Sequence, residues 1–141
     1  MNPIESIEHY YRTITNIPDS EWAWFVDKLR SKKLKKGEHW IAEGQITFDY
    51  AFIVEGLMCS YYSKDGKIVV SDFFTERNPI SSYTSFVTRT PSLYSIVALE
   101  KTSILTIRVA SNQELFCRHS CWQEIGRLSA EARYIHKEAR E

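Results

Sequence analysis

Between Leu34 and Arg108 the chain carries no helical period. Short runs of Ile, Val, Tyr and Phe are cut by turn residues at intervals of roughly ten positions. The punctuation is Lys36-Gly37-Glu38, Glu43-Gly44-Gln45, Val54-Glu55-Gly56-Leu57 and Lys64-Asp65-Gly66-Lys67, so four of the five glycines stand at β turns. That spacing selects an antiparallel sandwich or roll over βαβ units. Asp65-Gly66 is the strongest hairpin signal, because two-residue hairpin turns need positive φ, which this pair tolerates. The predicted strands are Tyr50 to Val54, Leu57 to Tyr62, Ile68 to Phe74, and Ser95 to Arg108, with alternating residues filling a small barrel.

Helical periodicity brackets this region. Asn2 is a cap and Pro3 a first helical position, followed by Ile4, Ile7, Tyr11 and Ile14 on one face. A second helix starts after Pro18 at Asp19 or Ser20, with a stripe of Trp22, Phe25, Val26 and Leu29. The basic run Lys28, Arg30, Lys32 and Lys33 suits its C-terminus. Beyond Arg108, Ser111 is the expected cap of a short helix over Gln113 to Arg118, and a longer helix runs from Ser120 to Glu141. In the longer helix Ile125, Leu128, Ala132, Ile135 and Ala139 recur at intervals of three and four, bordered by Arg127, Glu131, Lys137, Glu138 and Arg140. This narrow apolar seam with charged borders predicts a homodimer through the helix; packing against the chain's own β unit is the alternative. The expected organisation is one domain over 1–141: N-terminal helices over 1–32, a β roll over 33–109 and C-terminal helices over 111–141. No Gly or Pro stops the last helix, which points to a chain that continues past Glu141.

Composition narrows the function classes. At 141 residues the chain buries enough surface for one self-sufficient core. With 18 Lys+Arg against 18 Asp+Glu, it has no global attraction for nucleic acid or anionic lipid. Its 3 Cys give no disulfide framework and point to a reducing, cytoplasmic location. Glu5, Glu8 and Arg12 interrupt any secretory signal, and no apolar run is long enough to cross a membrane.

The order helix, helix, β roll, short helix, seam helix resembles the cyclic-nucleotide-binding domain of the Crp/Fnr transcription regulators. The residues that carry the resemblance are Leu34-Lys35-Lys36-Gly37-Glu38, Ile41-Ala42-Glu43-Gly44, Phe52-Ile53-Val54-Glu55-Gly56, Tyr61-Tyr62-Ser63-Lys64-Asp65-Gly66-Lys67 and Ile96-Val97-Ala98-Leu99-Glu100-Lys101-Thr102. The resemblance covers the chain from about Asp19 onward. It implies a mainly β fold with flanking helices, an antiparallel jelly roll holding a regulatory ligand, and a long dimerisation helix. It also implies that DNA is read only by a C-terminal helix-turn-helix that these residues do not include.

In such domains the phosphate-binding cassette reads Gly-Glu-apolar, a short gap, then Arg-(Ser/Thr)-Ala. The glycine lets backbone N–H groups approach the cyclic phosphate, the glutamate accepts from the ribose, and the arginine grips the phosphate with a bidentate fork. Counting back from Ala98-Leu99 puts Ser92 where the arginine should stand and Ile80-Ser81-Ser82-Tyr83 where Phe-Gly-Glu-Leu should stand. A phosphate taken out of water needs a charge partner, so cyclic AMP is not expected to bind in the standard way. The degenerate cassette (Ser81, Ser82, Tyr83, Arg89 and Ser92) is the candidate ligand site. Its hydroxyls suit a neutral polar ligand or a loop capped on itself, and Arg89 either reaches back toward the pocket or is a solvated loop arginine.

Other chemistry is weak. Cys117, His119 and Cys121 form Cys-x-His-x-Cys, which leaves a tetrahedral zinc site half empty, and no Cys precedes Cys59 to hold an iron–sulfur cluster. No metal and no cofactor are implied. The reading is a non-enzymatic effector-sensing and dimerisation domain, a homodimer with an unidentified small-molecule effector and no membrane partner. The alternatives are a small cupin-like metal-dependent enzyme and a ligand-free dimerisation scaffold.

Overall fold

Turn chemistry fixes the central hairpin. In the computed structural model, which describes residues 2–76, 79–80 and 88–140, Asp65 and Gly66 both sit in the left-handed region (φ 54 and 77). They join β4 (Met58–Lys64) to β5 (Lys67–Phe74) in the tight turn that this dipeptide favours. The remaining described strands are β1 (Arg30–Leu34), β2 (His39–Ile41), β3 (Asp49–Glu55), β6 (Pro79–Ile80), β7 (Ser95–Ala98) and β8 (Thr102–Arg108). They form two four-stranded antiparallel sheets, β1-β8-β3-β6 and β2-β7-β4-β5, which is the expected jelly roll. Leu34, Ile53, Met58, Ile96 and Ile104, each no more than 1% exposed, lie in its core.

Several elements differ from the sequence expectation: the segment Ser95 to Arg108 divides into β7 and β8, and β2 and β6 are additional strands. The basic run Arg30-Ser31-Lys32-Lys33 continues no helix: it is β1, paired in register from Arg30 opposite Thr106 to Leu34 opposite Thr102. Its first four residues are exposed and only Leu34 is buried, so the strand is recruited by pairing rather than by an apolar face. Lysines on an edge strand also discourage unwanted pairing of its open side. The short helix after the roll starts earlier than Ser111, at Val109, directly behind β8.

Three motif segments of the sequence meet at one corner of the roll. Gly37 N donates to Ala98 O at 2.8 Å, Ala98 N to Glu38 O at 2.9 Å, and Leu99 N to Leu57 O at 2.8 Å. The fully buried Thr102 Oγ1 donates to Glu100 O at 2.8 Å and accepts from Leu57 N at 3.3 Å. Gly56 (φ 122) lies against it, and any Cβ there would collide with the Thr102 hydroxyl and stand 2.7 Å from its Cα.

The chain divides into two compact units, and the helical one comprises Met1–Lys28 and Ala110–Glu141. Its helices are α1 (Pro3–Ile14), α2 (Asp19–Lys28), α3 (Val109–Arg118) and α4 (Ser120–Arg140). Asn2 and Glu5 form a reciprocal capping box in front of Pro3, so α1 begins where the cap and proline predict. Tyr11, Trp22, Phe25 and Trp122 stack in sequence, with centroids 6.4, 5.3 and 5.2 Å apart. Set into this aromatic core is the carboxylate of Glu21, only 9% exposed. It accepts from Arg118 Nε at 3.0 Å, Arg118 Nη2 at 3.1 Å and Trp122 Nε1 at 3.1 Å, and the Arg118 guanidinium lies 4.5 Å from the Trp24 ring centroid.

The Arg118 hydrogen bonds hold the Glu21 carboxyl below the ordinary carboxylate range, with the Trp122 bond assisting and burial opposing. A depressed carboxylate stabilises the fold above its unfolded-state pKa and loses that contribution as pH falls toward the depressed value. Arg118→Ala is expected to cost about 2–3 kcal/mol at neutral pH, short of the full cost for a wholly buried pair because Arg118 keeps some water contact. Thermal melts across pH are expected to show the gap between wild type and variant narrowing below about pH 4.5, as Glu21 protonates in both. A gap independent of pH would place the cost elsewhere.

Candidate functional site

The loop ahead of β7 is tied down by backbone pairing. Pro91 bridges Ile46, Ser92 N donates to Gln45 O at 2.7 Å, and Gly44 N donates to Ser92 O at 2.8 Å. Gly44 sits at φ 92, a conformation the Glu43-Gly44 turn requires and few other residues tolerate. Ser95 Oγ accepts the Glu43 amide at 2.9 Å from the first residue of β7. These bonds hold residues 91–95 across the turn at residues 43–45.

Ser92, at the position of the expected arginine, is buried. Its Oγ donates to Tyr94 O at 2.7 Å and accepts from Tyr94 N at 3.2 Å. A hydroxyl has one proton, and here the backbone uses it. Ser92 therefore presents neither a charge nor a donor to a phosphate. Close by in sequence, Tyr94 makes an edge contact with Tyr62 at a centroid distance of 6.3 Å.

Arg89 lies on the same loop. It is half-buried and adopts φ 61, one of only two non-glycine residues at positive φ among the described residues. Its Nη1 is buried and makes no hydrogen bond. Thr88 and Thr90, on either side of it, join their hydroxyls at 2.7 Å. Ser81, Ser82 and Tyr83, the other expected cassette residues, lie outside the described residues.

The expected seam residues divide along α4. Ile125 is 6% exposed within the helical unit, whereas Ile135 and its neighbour Tyr134 are each 65% exposed. Leu128 is half-buried, Ala139 is exposed, and the side chain of Ala132 is outside the described set. Cys117 is exposed and Cys121 buried, and burial pushes the Cys121 thiol up. His119 Nδ1 accepts the Cys121 amide at 3.0 Å, so this ring nitrogen caps the start of α4. Among the described residues no group of three or more His, Cys, Asp or Glu is placed to hold a metal ion, and no helix is long and apolar enough to cross a membrane.

Sequence reasoning missed two polar pairings. One is the Glu21, Arg118 and Trp122 cluster, in which Arg118 and Trp122 lie 97 and 101 residues from Glu21 along the chain. The other is His39 Nε2 with the Tyr61 hydroxyl at 2.5 Å, between β2 and β4. The only sequence sign of the first was a glutamate adjoining the apolar stripe of α2. Nothing in the sequence marked the second.

Residues 31–119 match the profile of the cyclic nucleotide-binding domain. No curated protein sequence matches the chain. Among solved structures it is similar to the Thermus thermophilus catabolite activator protein, at 14% identity and a TM-score of 0.73, over 90% of this chain and 61% of that one. It is similar to the sensor domain of the transcriptional regulator DNR from Pseudomonas aeruginosa, at 12% identity and a TM-score of 0.71, over 89% and 83%. A third is the N-terminal domain of a transcriptional regulator from Streptomyces coelicolor, at 16% identity and a TM-score of 0.67, over 89% and 87%. The chain thus spans about three-fifths of the length of the catabolite activator.

Ser92→Ala is expected to destabilise the roll by about 1–3 kcal/mol, because it strips the Tyr94 amide and carbonyl of a buried partner. Urea denaturation measures it. A loss under about 0.5 kcal/mol would mean that the Gln45 and Gly44 backbone bonds hold the loop unaided.

Proposed function

Since the chain belongs to the cyclic nucleotide-binding domain family, we propose that it is the effector-sensing and dimerisation domain of a Crp/Fnr-like transcription regulator that does not bind cyclic AMP in the standard way. The observation that supports this reading is the state of Ser92. Where a phosphate-gripping arginine is expected, a buried hydroxyl spends its one proton on Tyr94 O. A cyclic phosphate seated there would lose water without gaining a charge partner, at a cost of several kcal/mol. The domain carries no catalytic role in this reading, and DNA contact is assigned to a C-terminal module outside these residues.

Self-association is placed on the distal part of α4. The first turns of that helix bury Trp122 and Ile125 in their own unit, while Tyr134 and Ile135 stand in water. An effector then acts by favouring one arrangement of two paired helices over another, through contacts that differ between the two states.

Titration calorimetry with cyclic AMP and cyclic GMP is expected to show no saturable heat at micromolar concentrations; clear binding of either overturns the pocket argument. Separately, Leu128→Lys together with Ile135→Lys is expected to yield monomers in sedimentation from a wild-type dimer. A dimer that survives both changes places the interface on another surface.

A further inference from the structure

We propose that His119 is a proton-sensitive joint between α3 and α4: its neutral ring holds the first turn of α4, and proton uptake by the ring releases that turn. The joint does not depend on which ligand the roll holds.

Geometry fixes the state of the ring. α3 ends at Arg118 and α4 begins at Ser120, so His119 is the single residue between them. Its Nδ1 lies 3.0 Å from the Cys121 backbone nitrogen. A backbone N–H can only donate, so Nδ1 presents a lone pair and the ring is neutral, with its proton on Nε2. The bond is that of an N-cap, in which the residue ahead of a helix accepts the amide of the second helical residue. His119 is exposed, whereas Cys121 is only 3% exposed. Solvent protons therefore reach the acceptor freely, while the amide it serves has little water to replace it.

A protonated imidazole has two donors and no acceptor. In this geometry its Nδ1–H would face the Cys121 N–H, donor against donor. The ring's charge would also stand at the positive end of a 21-residue helix. Both effects push the ring off the helix end. Of the charged groups around the joint, Glu21 on α2 attracts the cationic ring, and Arg118 on α3 carries the opposing charge. The Glu21 carboxylate already accepts three hydrogen bonds from Arg118 and Trp122. On α4, burial keeps Cys121 a neutral thiol, and Glu124 accepts the Thr15 hydroxyl at 3.2 Å. Cys117 on α3 is exposed. Trp122 remains anchored on Glu21, so the release is confined to Ser120 and Cys121.

The test is NMR and amide hydrogen exchange on the 15N-labelled chain at about pH 7.5 and about pH 5, which bracket histidine titration. Glu21, held below the ordinary carboxylate range, stays ionised at both. His119 Nδ1 is expected to show the shift of an unprotonated acceptor at the higher pH and of a protonated nitrogen at the lower. Protection of the Cys121 amide, referred to the unfolded-chain rate at each pH, is expected to fall about tenfold between the two, the size of a lost cap. The Ile125 amide, one turn on, is expected to keep its protection. His119→Asn, whose side-chain oxygen caps without titrating, is expected to protect the Cys121 amide equally at both pH values. His119→Ala is expected to leave it poorly protected at both. The assignment is overturned if wild-type Nδ1 carries a proton at the higher pH, if Cys121 protection is the same at both, or if His119→Asn retains the pH step.

Discussion

One buried hydroxyl organises the roll. Thr102 has no solvent exposure, and its Oγ1 joins Glu100 O and Leu57 N where two strand ends cross. The packing works only because residue 56 has no side chain: Gly56 lies so close that a Cβ would stand 2.7 Å from the Thr102 Cα. The same short segment, Ala98 to Thr102, also receives the Gly37 and Leu57 backbones. Three of the segments by which the sequence resembles its family are thus tied to one corner. They specify a scaffold, and a scaffold tolerates change in the loops it carries.

This separation lets the fold persist whatever side chain stands at position 92. The bonds that fix residues 91–95 are mostly backbone bonds, from Ser92 to Gln45 and Gly44 and from Glu43 to Ser95 Oγ. Backbone pairing is indifferent to the side chain at position 92. An arginine there would present a fork to the ligand; a serine folds its hydroxyl onto Tyr94 and closes the position.

The legible parts of the sequence were those where local chemistry alone decides. Asp65-Gly66 announced a hairpin, and Asn2-Pro3 announced the start of α1, because each rests on a few adjacent residues. β1 was illegible for the opposite reason. Arg30 to Lys33 are all exposed, so no alternation of burial is written into them, and their strand conformation is supplied by β8. β2 and β6, three and two residues long, are too short for any period to register. In the candidate site, counting along the motif located Ser92, yet the direction of its hydroxyl depends on Tyr94 geometry that no spacing encodes. The same limit hid Glu21. A glutamate in the first turn of a helix reads as a solvated partner of the helix dipole, whereas here its partners arrive from α3 and α4.

The Glu21 cluster also divides α4 into two stretches with different obligations. Trp122 and Ile125 are committed to the core of the helical unit, Trp122 doubly so because its indole N–H caps the buried carboxylate. A ligand-driven change confined to the first turns of α4 would have to break that carboxylate's hydrogen bonds, which is expensive in a low-dielectric core. The distal turns carry no such commitment among the described residues: Tyr134 and Ile135 are largely exposed, and Arg127 pairs only with Glu131 one turn on. Rearrangement at modest energy is therefore available at the distal end of α4, the end on which we propose self-association. A rigid start and an unanchored apolar end are what a helix needs if small differences in effector contact are to select between two pairings.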